Sequence, residues 1–358
     1  MSAKSHGGNW AVVMAGGRGT RFWPESRNRD PKPFLKFLGD RSLLEETVRR
    51  LSPLIAPSRI LVVLQKNLVG RAHRLLKNIP RGNILGESVG RNTAPCCVWA
   101  AAEIERRDPS AKIVFLPSDQ WIHPKSLYLK TLKAAFDLVD EKPVLLGMRV
   151  TSPHTGYGYL EVGKPAKRTR GISTFTVRRF FEKPALAQAK RFQKSGRFLW
   201  NGGTFIWRLD AFNRAIRKHW GRVSFFMKNK RTGKMRTVPY FYQNVPSISL
   251  DCAVMEKLPN VHCLQVPFQW SDLGSWEGVA GFWKKDASGN RAGTGSLIAV
   301  KARRNLVKPG RRLVALLGVS DLLVVDSEDV LLIASRSSGE KIREVVRELE
   351  RRKAWKYL

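Results

Sequence analysis

Long apolar runs are missing from this 358-residue chain. No stretch approaches the ~20 consecutive apolar residues that span a bilayer, so a membrane-spanning helix is not expected. The opening MSAKSHGGNW has no apolar segment between a basic start and a small-residue cleavage site, and a secretory signal is not expected either. Cysteine is scarce: Cys96, Cys97, Cys252 and Cys263 fit no zinc spacing and no disulfide framework. A reducing, cytoplasmic setting is the expectation. Fixed-period repeats and low-complexity tracts are absent as well. The largest shortage is of acid: 29 Asp and Glu stand against 64 Lys and Arg, a formal charge of +35. Such a charge concentrates anions near the surface. Most basic residues are spread along the chain. Local clusters occur at Lys228, Lys230, Arg231, Lys234 and Arg236, and at Arg347, Arg351, Arg352 and Lys353. Neither carries the interleaved aromatics of a single-strand binder, and no nucleic-acid fold motif appears. A solvated basic surface is the favoured reading; weak binding to anionic surfaces or nucleic acid stays open.

What is present is a pattern of short apolar runs separated by helical segments. Trp10–Met14, Ile60–Leu64, Ile113–Leu116 and Val144–Leu146 read as buried strands. Between them, Ser42–Leu51, Thr93–Arg107 and Lys125–Asp140 repeat apolar residues at helical spacing. Strands of this length alternating with longer helices predict an α/β fold: a doubly wound, Rossmann-like mixed sheet covered on both faces. Gly156–Val162, Val177–Phe181 and Thr204–Trp207 read as further strands. From Lys284 to Gly295 the composition shifts to Lys, Asp, Ser, Gly and Asn, which predicts a linker. Beyond it, Leu297–Val300, Leu313–Leu317, Leu322–Val325 and Val330–Ile333 read as short strands. A last amphipathic helix carries Ile342, Val345, Val346 and Leu349 on one face, with Ser337 and Glu340 fitting a capping box. The expected division is a large domain over 1–285 and a small one over 286–358.

Several strings carry chemistry. Met14-Ala-Gly-Gly-Arg-Gly-Thr-Arg21 follows a strand and runs on to Pro31-Lys32-Pro33. It lacks the G-K-[ST] of a Walker A loop and is not G-x-G-x-x-G. Its glycines still allow backbone N–H groups to converge on phosphate, and Arg21 and Lys32 supply positive charge. A tight turn with two exposed basic residues satisfies the glycines alone. Glu87-Ser-Val-Gly-Arg-Asn-Thr-Ala-Pro95 precedes a helix. A carboxylate such as Glu87 can accept from N1–H and the N2 amino group of guanine together, with Asn92 and Thr93 adding contacts; Asn92 or Thr93 could equally be a helix cap. Val114-Phe-Leu-Pro-Ser-Asp119 puts an acid at the carboxyl end of a strand, where open sheets bind ligands. Trp270-Ser-Asp-Leu-Gly-Ser-Trp276 offers a second acid, Asp272, in a stiff turn. One or two carboxylates, with phosphates and water, suffice for Mg²⁺. Gly156-Tyr-Gly-Tyr159, Phe181-Glu-Lys-Pro184 and Trp200-Asn-Gly-Gly-Thr-Phe205 break apolar surroundings with groups suited to a hexose phosphate: Glu182 and Asn201 for hydroxyls, Lys183 for phosphate, and Gly158 for close backbone approach.

Together these strings, in this order over roughly residues 10 to 350, resemble the sugar nucleotidyltransferases, and the mannose-1-phosphate guanylyltransferase family in particular. Trp23-Pro24 and Ser26-Arg27 fit that branch better than the glucose-1-phosphate branches. The resemblance implies that Gly16, Gly17, Gly19 and Thr20 cradle the nucleotide. It implies that Arg21, Lys32 and Lys183 bind phosphates and act in catalysis, and that Glu87, Asn92 and Thr93 recognise the base. Gly158, Glu182, Lys183 and Asn201 are implied to hold the sugar phosphate, and Asp119 and Asp272 to hold Mg²⁺. GTP and mannose 1-phosphate are the implied substrates, and a homodimer stays open. The tail around Leu317–Leu331 resembles the family's short β-helical domain. The chain departs from the family pattern at Ser88 (commonly proline), Gly202 (commonly serine) and Cys252 (commonly tyrosine). Ser249–Lys257 matches a family string but suggests no chemistry.

Overall fold

The computed structural model describes residues 7–223 and 237–358. The basic cluster from Lys228 to Arg236 lies outside the described residues. Two compact units emerge. The first comprises residues up to Gly16, Thr47–Ser118 and Ile122–Trp270; the second comprises Gly17–Glu46, Asp119–Trp121 and Ser271–Leu358.

The first unit is built on a ten-stranded mixed sheet. Ile84–Glu87, Ile60–Gln65, Asn9–Met14 and Lys112–Pro117 lie side by side and parallel. Asn9–Met14, Ile60–Gln65 and Lys112–Pro117 are buried through their middles, as parallel strands covered on both faces must be, so each reads as an apolar run; the short Ile84–Glu87 does not. The long strand Phe198–Arg208 then runs antiparallel to Lys112–Pro117 and to Val144–Arg149. His262–Gln265, Ile172–Phe181, Gly158–Val162 and Lys167–Thr169 complete the sheet. The helices Thr93–Glu105 and Lys125–Leu138 follow the expected segments. The sheet is the α/β architecture expected; Val144–Leu146, Val177–Phe181 and Thr204–Trp207 prove to be parts of longer strands, and Ile84–Glu87, Lys167–Thr169 and His262–Gln265 were not expected.

The second unit contains parallel rungs. Arg291 pairs with Leu306, and Leu306 with Leu323, in a sheet that also holds Lys284–Lys285 and Leu331–Ser335. Leu297–Val300 pairs in parallel with Val314–Leu317. This is the β-helix-like domain expected at the C-terminal end. The compact units nevertheless divide the chain differently from a cut at 285/286. Phe22, Trp23, Leu35 and Leu43 share one buried cluster with Leu273, Trp276, Leu323 and Val325, which ties the early segment to the late one.

Two expectations are corrected. Lys284–Gly295 is not a linker: it supplies two short rungs, and its Asn290 is buried. Asn290 Oδ1 accepts from the backbone N–H and side-chain amide of Asn305, at 3.0 and 2.9 Å. Asn305 in turn donates to Val319 O and accepts from Leu322 N–H. A polar, glycine-rich stretch thus folds because its side chains replace missing ladder hydrogen bonds. Secondly, Ser337 and Glu340 form no capping box. Residues Arg336–Lys341 are a 3₁₀ turn, and the helix Ile342–Arg351 starts at Lys341 without a side-chain cap. A capping box does exist at Ser42 and Glu45, where Glu45 Oε2 accepts from Ser42 N–H at 2.8 Å and Ser42 Oγ accepts from Glu45 N–H at 3.2 Å. Among the described residues no helix is long and apolar enough to cross a membrane.

Asn305 is fully buried, and its side chain bonds three groups across the rungs: Asn290 Oδ1, Val319 O and Leu322 N–H. Asn305→Ala removes these three side-chain bonds, and a loss of about 3 kcal/mol in the denaturant unfolding of the second unit is expected; an unchanged midpoint would count against this network as a determinant of the rungs.

Candidate functional site

In the second unit, the glycine-rich string places Lys32. Gly19 has φ 69° and sits against the Lys32 side chain so closely that a Cβ there would run into it. Lys32 lies in a 3₁₀ turn entered from Pro31, with its own N–H directed to Arg18 O. Ser26 Oγ donates to the same carbonyl, which knits the loop together. The buried ammonium of Lys32 reaches two other strings: Asp119 Oδ2 at 2.6 Å and the main-chain oxygen of Asp272 at 2.7 Å. Residues 87 and 240 positions apart in sequence therefore converge on one cation. The carboxylate of Asp272 is turned by its own loop: Oδ1 accepts from Gly274 N–H at 3.0 Å, and a side chain on Gly274 would overlap that carboxylate. Leu273 between them holds φ 45°, a conformation a leucine adopts only under constraint from its surroundings. Here its side chain is fully buried beside Trp276.

Arg21 is half exposed and pairs with Glu340 Oε2 at 2.9 Å. Its partner comes from the turn read in the sequence as a capping box. Gly17 has open space about its Cα, and Thr20 begins the turn that carries Arg21.

In the first unit, sheet register gathers the sugar-side residues. Asn201 pairs with Gly158, and Tyr159 with Phe181, so Glu182 follows directly. A Cβ on Gly158 would stand 2.9 Å from Glu182 Oε2 and 3.3 Å from Asn201 Cβ. The pairing register of the long strand shifts between Asn201 and Phe205, and Gly203 has φ 64° within that bulge. Lys183 holds φ 46° and its ammonium lies 2.5 Å from Glu182 Oε1. Gly202 is more than a smaller serine: the Met148 side chain fills the volume a Cβ would take. Asp251, given no role in the sequence reading, joins this group by accepting from Asn201 Nδ2 at 2.9 Å. Burial, and then the charge of Glu182, push Asp251 up to about 6.

The base-side string is also in the first unit. Asn92 is exposed, caps the helix by accepting from Thr93 N–H at 2.8 Å, and takes φ 66° to do so. Thr93 Oγ1 accepts from Leu250 N–H at 2.8 Å. Glu87 is buried far more than a surface reader would be, at 4% exposure. Its Oε2 faces Gly16, 3.3 Å from where a Cβ would be, while Oε1 is enclosed without a partner of normal hydrogen-bond geometry. Burial pushes the Glu87 carboxyl up to about 7, opposed in part by the neighbouring Tyr242 hydroxyl. Cys96 and Cys97, close by, are raised by burial too, which makes them inert thiols.

A glycine loop that aims a lysine at strand-end acids, in a chain that also forms a sheet of this topology, defines a nucleotide-handling α/β protein. The chain belongs to the nucleotidyl transferase family, whose model matches residues 10–288. A second model, the MannoseP isomerase/GMP-like beta-helix domain, matches residues 295–349. Among curated proteins, the xanthan biosynthesis protein XanB of Xanthomonas campestris pv. campestris (strain B100) is 31% identical over 347 residues, covering 95% of this chain and 73% of its own length. The mannose-1-phosphate guanylyltransferase of Escherichia coli is 30% identical over 352 residues, covering 95% of this chain and 75% of its own. Among solved structures, a protein of Thermus thermophilus described as a mannose-1-phosphate geranyltransferase superposes with a TM-score of 0.85 at 32% identity, covering 96% of this chain and 99% of that one.

Gly19→Ala forces a side chain into a left-handed conformation, at roughly 1–2 kcal/mol, and displaces Lys32. Gly17→Ala meets nothing within 4 Å. The first is expected to lower stability by at least that much and the second by less than about 0.5 kcal/mol, measured by denaturant unfolding.

Glu87 supplies a pH test. Its native pKa lies above the ordinary 4.5, near 7. The unfolded chain therefore releases this proton first, and stability falls as pH rises from about 4.5 to about 7. Glu87→Gln carries no such cost. The variant should match the parent near pH 4 and exceed it by roughly 3 kcal/mol at pH 8; equal stability at both pH values would contradict an ionised, buried Glu87.

Proposed function

We propose that this protein transfers GMP from GTP to mannose 1-phosphate, giving GDP-mannose and pyrophosphate. The observation that carries the reading is the Lys32 ammonium hydrogen-bonded to the Asp119 carboxylate and to the main-chain oxygen of Asp272, since it brings three separate strings together. The name of the Escherichia coli relative supports mannose 1-phosphate and guanylyl transfer, and that of the Thermus thermophilus protein supports mannose 1-phosphate.

In this reading a phosphate oxygen of mannose 1-phosphate attacks the α-phosphorus of GTP in line. The new P–O bond forms as the bond to the pyrophosphate oxygen breaks, and no enzyme-bound intermediate is required. Negative charge grows on the α-phosphate and on the leaving pyrophosphate, so preorganised cations lower the barrier. Lys32 and Arg21 supply these from the glycine-rich string, and Gly16, Gly17, Gly19 and Thr20 present backbone N–H groups. Lys183 binds the phosphate of the incoming sugar, while Glu182, Asn201 and the backbone at Gly158 receive its hydroxyls. Glu87 accepts from the guanine edge through Oε2, and Asn92 Nδ2 and Thr93 Oγ1–H remain as donors once their capping bonds are made.

The donor set also fits Mg²⁺: two carboxylates on neighbouring segments, with no thiolate or imidazole, match a hard cation that keeps phosphate and water ligands. Asp119 and Asp272 would hold it, and when bound it would supply charge neutralisation at the α-phosphate.

Pyrophosphate release with mannose 1-phosphate and Mg²⁺ should occur with GTP and not with UTP, dTTP, ATP or CTP. Asp119→Ala and Asp272→Ala should each lower kcat by about 10²–10³-fold while the protein still unfolds cooperatively. Turnover with another triphosphate would overturn the base assignment, and full activity in either variant would overturn the metal assignment.

A further inference from the structure

The segment Ser249–Lys257 has a task in the first unit that its sequence does not disclose. Its residue Asp251 lies in the first turn of a short helix, Leu250–Ala253, whose N-cap is Ser249, with Ser249 Oγ accepting from Cys252 N–H at 3.2 Å. The N-cap position is thus filled without Asp251. The carboxylate of Asp251 instead reaches 50 residues back to Asn201.

Asn201 is a buried carboxamide, and a carboxamide presents opposite hydrogen-bonding faces when it flips about its last torsion. Both of its ends are committed here. Oδ1 accepts from Gly203 N–H at 3.1 Å inside the bulge, and Nδ2 donates to Asp251 Oδ1 at 2.9 Å. The second Nδ2 hydrogen is then the donor left over. Asn201 pairs with Gly158 in the sheet, and Gly158 lies against Glu182. The acceptor carboxylate of Glu182 and the donor amide of Asn201 thus flank one glycine, a pairing suited to adjacent hexose hydroxyls.

We infer that Asp251 is a positioning residue of the sugar-phosphate site: its carboxylate locks the Asn201 carboxamide in one orientation, and so fixes which hydroxyl pattern the site accepts. The inference rests on the sugar-1-phosphate reading above. Without the acceptor at 251, the Gly203 N–H alone orients the amide, and a flipped amide offers an acceptor where the sugar expects a donor. Mannose and glucose differ in the orientation of one hydroxyl, so a loosened amide should blur the distinction between them.

The test compares Asp251→Ala, Asp251→Asn and, for helix integrity alone, Ser249→Ala. KM for GTP and for the sugar 1-phosphate are measured separately, and mannose 1-phosphate is compared with glucose 1-phosphate. Asp251→Ala should raise the sugar-phosphate KM by about tenfold, the scale of one lost polar contact, and narrow the epimer ratio. The KM for GTP should move less than about twofold. Asp251→Asn keeps an acceptor oxygen for Nδ2 and should recover most of both effects. Ser249→Ala should leave the sugar KM and the epimer ratio near the parent values. An unchanged sugar KM in Asp251→Ala overturns the inference. So does an equal rise in both KM values shared with Ser249→Ala, which would mark a structural role only. An Asp251→Asn variant as impaired as the alanine would replace positioning by a requirement for charge, and overturns it too. A parent protein without turnover on any sugar 1-phosphate overturns the underlying reading instead, and the inference falls with it.

Discussion

The ammonium of Lys32 is the contact on which the arrangement of the second unit's charged residues turns. A buried lysine is tolerable only if its charge is matched and its N–H groups find acceptors. Asp119 matches the charge, and the carbonyl of Asp272 accepts a second hydrogen bond. Around that requirement the local backbone is bent in ways an unconstrained chain would avoid. Gly19 adopts a left-handed conformation to make room for the lysine stem, and Leu273 is held left-handed to turn Asp272 into place. The aromatic packing of Phe22, Phe37 and Trp276 supports both turns, with ring centroids 4.7–5.8 Å apart. Hydrophobic burial thus offsets the cost of holding a charged group in this bent backbone.

Much of this was legible in the sequence, for identifiable reasons. Parallel strands covered on both faces appear as apolar runs, so Trp10–Met14 and Ile113–Leu116 could be placed without a structure. The glycine-rich and acid-bearing strings stood out by composition, and Lys32, Asp119 and Asp272, which the structure brings together, lie in them. Other features left no local trace. A rung of two residues, such as Arg291–Ala292, is too short for any periodicity to register. Asp251 lies in the first turn of a helix, where an acid is the ordinary choice for the dipole, so nothing marked its reach to Asn201. Glu340 had an equally plausible local use as a capping residue, whereas its partner Arg21 comes from the other end of the chain. The depth of Glu87 was invisible because burial depends on what Tyr242 and Gly16 bring from elsewhere.

The excess of positive charge is partly organised and partly not. Acids that are present are seldom idle: Glu348 serves Arg351 and Arg352 in the terminal basic cluster, and Asp326 is buried against Arg312. The exposed pairs of Glu348 contribute little stability each. Their larger effect is to set the direction of long arginine side chains, which leaves the remaining basic groups to define the field that incoming anions meet.

The discontinuity of the second unit also has a consequence in time. Gly17–Glu46 is made early, yet the residues that bury Phe22, Trp23 and Leu35 lie beyond Leu273. A ribosome must therefore deliver more than two hundred further residues before that early segment finds its core. During this interval the glycine-rich loop is attached to a growing chain whose first unit can already be folding around its sheet. The contacts of the Lys32 ammonium are completed among the last events of synthesis, so a chain interrupted before Asp272 could own a well-formed sheet and still lack a partner for Lys32.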